Sequence, residues 1–574
     1  MNNNSKHISA KNGDEKVRAK TVRTFSLSGS SWLTGGAGLV AMLVGMPIIA
    51  LIFMAASGNL QSLSSLSSSV LPKASLTTIL LLAGLAVVAG SIGAISAWLI
   101  CFFEFPGRKI LTWALMLPLA VPTYISAYTF TEFFTFTGPV QSLVRQLGGF
   151  SSARDYWFPE IRSLGGAIIV LSLVLYPYVY LSVRALFVIQ GRRGIEAGIM
   201  LGANQGRILT SILLPLARPA LALGIILVMM EAINDIGAMD YLGVQTLTFS
   251  IFSIWVNQGD AAGSAQLALV LLFLVMGLIG LERWVRRKQR FNERNQSPQP
   301  AFERIKLTGW KKAIASFLCL VPVGLGFGVP FITLSNYASR YMLSGFNQRM
   351  LEALATSIIL AAIAAFITVL LAIFLSYAVR VRPTRTMGFL VRFASVGYAM
   401  PGTIIALGIF LPIANFDNFV DAMLREWLGI STGLLVTGSG ATLVYAYIVR
   451  FMAVAEGSID AGFKKIPPNL DSAARCFGYS RWQTLRIILL PLLRPAIITA
   501  ALLVFIDSLK ELSATLMLRP FGIETTAIYI HDLASRGRIE QAGTASLLLV
   551  LVGIIPVILL ARTMAGNKNR ALGK

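Results

Sequence analysis

Charge and sulfur are scarce in this 574-residue chain. Only 13% of its residues are charged, it holds 3 cysteines and 2 histidines, and 55% of it is hydrophobic, with a mean hydropathy of +0.71. Cys101, Cys319 and Cys476 fall in or beside apolar or basic stretches, which argues against a disulfide framework. His7 and His531 lie far apart and suggest no metal centre. There is no Gly-x-x-x-x-Gly-Lys-Ser/Thr loop to cradle a nucleotide, and no cofactor is expected on the chain itself. No Ser/His, His-Glu-x-x-His or paired-Asp set stands at catalytic spacing, which argues against an intramembrane enzyme. A soluble fold this apolar would lack the polar residues to cover its own surface.

What the chain has in quantity is long apolar runs. A helix needs roughly 20 apolar residues to cross the bilayer core. On that measure twelve spans are expected, near 33–57, 77–101, 109–133, 164–188, 216–237 and 264–284, then 312–335, 354–379, 387–414, 433–457, 494–516 and 544–563. The fold class is therefore an all-α integral membrane protein. The formal charge of +23 is a matter of topology rather than of nucleic-acid binding, because most Lys and Arg fall in short intervals between apolar runs. Arg108, Lys109, Arg192, Arg193, Arg207, Arg380, Arg382, Arg385, Lys464, Lys465, Arg475, Arg481 and Arg486 mark the cytoplasmic side, while 58–76 and 238–263 hold few or none. Both termini are expected in the cytoplasm of a bacterial cell, with the body multi-pass in its inner membrane. The polar, basic residues 1–30 read as a cytoplasmic tail rather than a cleavable signal peptide.

The chain divides at 285–311, a basic stretch with a Ser-Pro-Gln-Pro turn that separates one bundle (31–284) from a second (312–565), leaving 566–574 as a tail. Anionic lipid is a natural contact for Arg286, Arg287, Lys288 and Arg290. The bundles repeat each other. ILLPLARPAL (212–221) matches ILLPLLRPAI (488–497), pairing Pro215 with Pro491, and the same offset pairs Gly202 with Gly478, Glu231 with Asp507 and Asp235 with Glu511. Basic intervals fall on the same side in both, so the repeats are parallel, and a translocation path is expected between them.

Between the fourth and fifth spans of each half lies a short stretch of small residues, a glycine, and a basic amphipathic stretch ending in Leu-Pro. Glu196, Ala197, Gly198 and Gly202 occupy it in the first half, and Asp471, Ser472, Ala473, Ala474 and Gly478 in the second. The pattern suits a helix, a turn at the glycine and a second helix, with Pro215 and Pro491 expected to break the chain before it re-enters the membrane. These residues resemble the EAA loop of binding-protein-dependent ABC importer permeases. Gly198 departs from that pattern in one copy, as does Ser472, where Glu is expected, in the other. The resemblance implies a type I permease fold and a coupling helix seated on a separate ATPase subunit that uses the ATP, serving both copies as a dimer. It also implies a periplasmic or extracellular solute-binding protein. A secondary transporter of the major-facilitator type shares the six-plus-six plan, but it expects an Asp-Arg-Gly-Arg-like motif where this chain has FEFPGRK (103–109).

MEAINDIGAMDYLGVQTLT (230–248) and DSLKELSATLMLRPFGIETTA (507–527) resemble segments of fused iron(III) importer permeases. Related permeases carry thiamine, phosphonates, polyamines or sulfate. Glu231 and Asp235, like Asp507 and Glu511, are four apart and are expected on one helix face, where they either attract a hard cation or serve structure. Lys510 is placed to pair with Asp507, and Asn234 to hydrogen-bond locally. Tyr124, Tyr128, Tyr176, Tyr178, Tyr445 and Tyr447 lie in apolar spans, where tyrosine is more often an anchor or packing residue than a ligand.

Overall fold

The computed structural model describes residues 31–58, 66, 68–188, 200, 202, 204, 207, 209–287, 304–341 and 346–571. Lipid offers no hydrogen bonds, so a chain this apolar satisfies its backbone by forming helices. Among the described residues ten helices are long and apolar enough to cross a membrane: Trp32–Ala56, Val70–Phe102, Leu164–Leu186, Thr210–Ile233, Ala261–Val285, Trp310–Arg340, Gln348–Val381, Gly402–Leu428, Ala441–Lys464 and Arg481–Lys510. The pair Arg108–Ala120 and Thr123–Gly148, bent by 95°, makes an eleventh if taken as one span. The last helix, Gly543–Ala571, is apolar over Gly543–Leu559. All twelve expected segments recur as helices, but the full-length spans number ten or eleven.

Proline explains why two spans differ from expectation. The run 109–133 breaks after the 3₁₀ turn Leu117–Ala120, where Pro122 caps the helix Thr123–Phe134. The run 387–414 breaks in the same way, after Val396–Ala399, with Pro401 capping Gly402–Leu428. Pro215 and Pro491 do the opposite of what was expected of them. Each sits in the first turn of its helix, directly after a π-helical segment (Leu209–Leu213 and Thr484–Leu489), and the helix continues across both. A proline lacks the N–H and crowds the carbonyl four residues back; shifting to a π turn at that point absorbs the misfit without a break.

The halves are interlocked by their first helices. Ser31–Ala56 packs on Gly402–Leu428 and Arg385–Ala394 of the second half. Contact is close enough that a Cβ on Gly408 would stand 2.2 Å from the Pro47 carbonyl oxygen. Arg382 donates to Thr34 Oγ1 at 2.7 Å across the same seam. Going the other way, a Cβ on Gly326 would meet the Leu173 carbonyl oxygen at 2.2 Å. The interval between the bundles is also anchored. Phe103–Glu104 pairs in parallel with Ile305–Lys306, and Leu307 N–H donates to the Glu104 carbonyl at 3.2 Å. The helix Ala261–Arg287 carries on into the basic segment; residues 288–303 lie outside the described residues.

Twofold logic reaches single hydrogen bonds. Thr78 Oγ1 accepts from Leu247 N–H at 3.0 Å, and Ser357 Oγ, 279 residues on, accepts from Thr526 N–H at 2.7 Å. Each satisfies an N–H in the first turn of a short helix (Leu247–Gln258 and Thr526–Ser535) where the surroundings are buried. Thr78→Val and Ser357→Ala should each lower unfolding stability in detergent by about 1–3 kcal/mol, the penalty for a buried donor left unpaired. The two lie in opposite halves and share no partner, so the double variant should show close to the sum in a denaturant titration.

Candidate functional site

The helices Leu214–Ile233 and Leu490–Lys510 stop at equivalent points. Asn234 is the C-cap of the first, and Asp235, in extended backbone, caps the short helix Ile236–Tyr241 by accepting from Ala238 N–H at 2.9 Å. Glu511, also extended, ends the second, and its Oε1 accepts from Ala514 N–H at 2.9 Å. Glu231 and Asp235 therefore do not share one helix face, and neither do Asp507 and Glu511. The second carboxylate of each pair has been taken by the backbone, because a helix start inside an apolar body leaves N–H groups that an acidic side chain satisfies.

All four carboxylates nonetheless reach one place. They line a cavity of about 190 Å³ between the halves, together with Arg450, Lys510, Asn234, Tyr124, Tyr178 and Tyr398. Its walls are tied across the repeat. Tyr398 Oη donates to Glu231 Oε1 at 3.2 Å, Gly402 N–H to Asn234 Oδ1 at 2.7 Å, and Ser513 Oγ to the Asn234 carbonyl at 2.6 Å. Lys510, at Asn234's register in the other half, donates to the Leu119 carbonyl at 3.5 Å. So Asn234 bonds across the halves rather than locally, and the Lys510 ammonium reaches a carbonyl of the opposite half. Of the tyrosines, Tyr124 and Tyr178 line the cavity, while Tyr128, Tyr176 and Tyr447 are packed in the core. Tyr445 donates to the Leu43 carbonyl.

Arg450 and Tyr398 are the members of this site that sequence reasoning missed. Arg450 Nη1 pairs with Glu511 Oε1 at 3.0 Å, with both side chains nearly buried. The signal was there, because an arginine within a span faces an interior or a cavity by default. Among the described residues no three of His, Cys, Asp or Glu come together as a metal-binding group, so the carboxylates share a cavity without forming a preassembled cage.

The second-half loop is held from above by one arginine. The helix Asn469–Cys476 is followed by Gly478 at φ 82°, and Ser480 with Gln483 forms a capping box that starts the next helix. Arg380, at the end of Gln348–Val381, donates from Nε to Asp471 Oδ2 at 2.9 Å and from its terminal nitrogens to the carbonyls of Phe463, Ile466 and Pro467 at 3.0–3.2 Å. One turn earlier, Tyr377 Oη donates to the Arg481 carbonyl at 3.0 Å. Ala474 is buried, whereas Ser472, Ala473 and Gly478 face outward. In the first half Gly202 has φ 73°, matching Gly478, and Glu196, Ala197 and Gly198 lie outside the described residues. At the offset of 279 that pairs Thr78 with Ser357, Cys101 stands where Arg380 does, and at the 276 that pairs Gly202 with Gly478, Ile195 stands where Asp471 does, so those positions carry no ion pair in the first half.

Comparison with known proteins agrees with this twofold plan. A family model described as the binding-protein-dependent transport system inner membrane component matches twice, over residues 87–291 and 368–572. The chain is 25% identical over 541 residues to an Fe(3+)-transport system permease protein of Haemophilus influenzae, covering 92% of this chain and 98% of that one. A ferric transport system permease protein of Actinobacillus pleuropneumoniae is 24% identical over 388 residues, 63% of this chain and 53% of the other. A sulfate transport system permease protein of Escherichia coli is 31% identical over 147 residues, 26% of this chain and 47% of that protein.

Removing the Arg380 clamp tests whether it holds the loop. A charge-assisted hydrogen bond contributes about 1.5–3 kcal/mol, so Arg380→Ala should speed amide hydrogen exchange over 469–478 by roughly ten- to a hundredfold. Exchange unchanged in that segment contradicts the clamp.

Proposed function

The chain belongs to the family of binding-protein-dependent transport system inner membrane components, and from that premise we propose that it is the fused permease subunit of an ABC importer for ferric iron. A solute-binding protein on the outer face delivers the ion, and a separate ATPase subunit, acting as a dimer, drives the cycle. The multi-pass body is a transport subunit rather than an enzyme, and both termini face the cytoplasm. The observation that carries the choice of solute is the likeness along nearly the whole length of an Fe(3+)-transport permease, fused in the same way. The cavity chemistry supports it: four carboxylates against two cations leave an excess of two negative charges when all are ionised. Hard cations prefer such oxygen donors. Sulfate would meet that excess as repulsion, and the sulfate permease likeness covers a quarter of the chain.

In the mechanism we propose, ATP binding closes the ATPase dimer and draws the two coupling loops together. The loop around Gly478 moves as one piece with Gln348–Val381, because Arg380 ties them. Rocking the halves apart breaks the hydrogen bonds of Asn234 to Gly402 and Ser513, and of Glu231 to Tyr398, opening the cavity outward to receive the ion. Hydrolysis restores the inward-facing arrangement.

Two measurements check this reading. Proteoliposomes holding the permease, its ATPase and the binding protein should show ATP-dependent uptake of ferric iron. Thiamine, phosphonate, polyamine or sulfate should not be taken up; uptake of one of these instead reassigns the solute. Gly202 and Gly478 have positive φ, and no described residue lies within 4 Å of where a Cβ would stand on either. A bulky residue there strains the backbone by about 1–2 kcal/mol and projects where the ATPase docks. The Gly202→Trp/Gly478→Trp chain should insert normally and retain less than a tenth of wild-type uptake. Full uptake removes the coupling role from these loops.

A further inference from the structure

The two carboxylates that end the equivalent helices are treated differently. Glu511, in the second half, is occupied: Arg450 holds its Oε1 at 3.0 Å, with side-chain exposures of 10% and 5%. Asp235, its counterpart, has no arginine among the described residues. The Thr123 hydroxyl stands near it, but among the described residues no donor meets its buried Oδ2 at hydrogen-bond geometry. The space for the guanidinium is made by Gly402, where a Cβ would stand 2.4 Å from Arg450 Nη1 and 2.9 Å from Glu511 Oε1. At that register the first half carries Thr123, whose hydroxyl lies beside Asp235. One wall of the cavity is therefore fitted with a built-in cation and the other is left with an unmatched carboxylate oxygen.

We propose that Arg450 is a tethered counter-cation that fills the cargo's electrostatic place in the empty cavity, and that an incoming trivalent cation displaces it from Glu511. This rests on the reading that the cargo is a cation. Four carboxylates with too few cations in an apolar body carry a heavy desolvation and repulsion cost, which Arg450 and Lys510 reduce while the cavity is empty. Arginine does not give up its proton, so the guanidinium has to swing away rather than neutralise. At equal distance a trivalent ion interacts with the carboxylates three times as strongly as a guanidinium does, and a monovalent ion no more strongly. Arg450 thus sets a threshold that admits a small, highly charged cation and turns away weaker ones.

Terbium(III), whose emission nearby tyrosines sensitise, serves as the probe on the full-length permease with its ATPase in nanodiscs. Arg450→Gln should tighten terbium binding at least tenfold and make manganese(II) binding measurable. Arg450→Lys should stay near wild type, and Arg450→Gln/Glu511→Gln should lose the gain. Gly402→Ala keeps every charge while its Cβ crowds Arg450 Nη1 at 2.4 Å and the Ala514 backbone nitrogen at 2.9 Å; it should move affinity in the same direction as Arg450→Gln, with the folding of both variants checked by thermal unfolding in nanodiscs. Equal terbium affinity in wild type and Arg450→Gln, or no difference between the single and the double variant, overturns the proposal. Wild-type uptake decides the ferric reading separately, so either can fail alone.

Discussion

The structure turns on holding four carboxylates inside an apolar body. A carboxylate in such surroundings is tolerated only with a partner or with access to water. This chain brings Glu231, Asp235, Asp507 and Glu511 to one cavity, so everything around that cavity is arranged to receive them. Asp235 and Glu511 are used to cap short helices, Glu231 takes a phenol from the opposite half, and Arg450 and Lys510 supply the basic groups lining the space. The helices that carry these residues must stop where they do, because a continuous helix would leave the carboxylates nothing to cap.

A symmetric frame has been loaded asymmetrically. Backbone devices repeat faithfully: the proline caps at Pro122 and Pro401, the π turns before Pro215 and Pro491, the hydroxyl bonds of Thr78 and Ser357, the positive φ at Gly202 and Gly478. The acidic positions repeat as well, but among the described residues the arginines set against them do not. Arg380 with Asp471 and Arg450 with Glu511 both belong to the second half. Backbone geometry has to match for two bundles to close around one axis, whereas a single cargo passing along that axis needs no twofold chemistry. Fusion of the halves into one chain allows each to specialise.

Much of this was legible in the sequence. Hydropathy located the twelve long segments but not the short helices Leu247–Gln258 and Thr526–Ser535 between them, and the repeated Leu-Pro stretch put Gly202 with Gly478 and Glu231 with Asp507. The repeat put the four carboxylates at equivalent positions, but the expectation that each pair shares one helix face failed. Spacing of four reads as a shared face only while the helix continues, and nothing in the letters said that it would stop at Asn234 and Glu511. Pro215 and Pro491 misled for a related reason, since a π turn reconciles proline with a continuous helix and has no sequence mark of its own. Arg380 was visible as a cytoplasmic charge, but its clamp on Asp471 joins residues 91 apart and needed coordinates. The swap of first helices, seen at Gly408 against Pro47, was likewise beyond periodicity, which describes an element and not its neighbours.

The central claim is that solute passes between the halves, where Asn234 of one meets Ser513 of the other at 2.6 Å. The most direct measurement is uptake by an Asn234→Cys/Ser513→Cys chain in a background lacking Cys101, Cys319 and Cys476. Oxidation to a disulfide should stop ATP-driven uptake in proteoliposomes, and reduction should restore it, with the uptake of either single-cysteine chain insensitive to the oxidant. Uptake that continues at its full rate while the halves are covalently joined at that point contradicts the account.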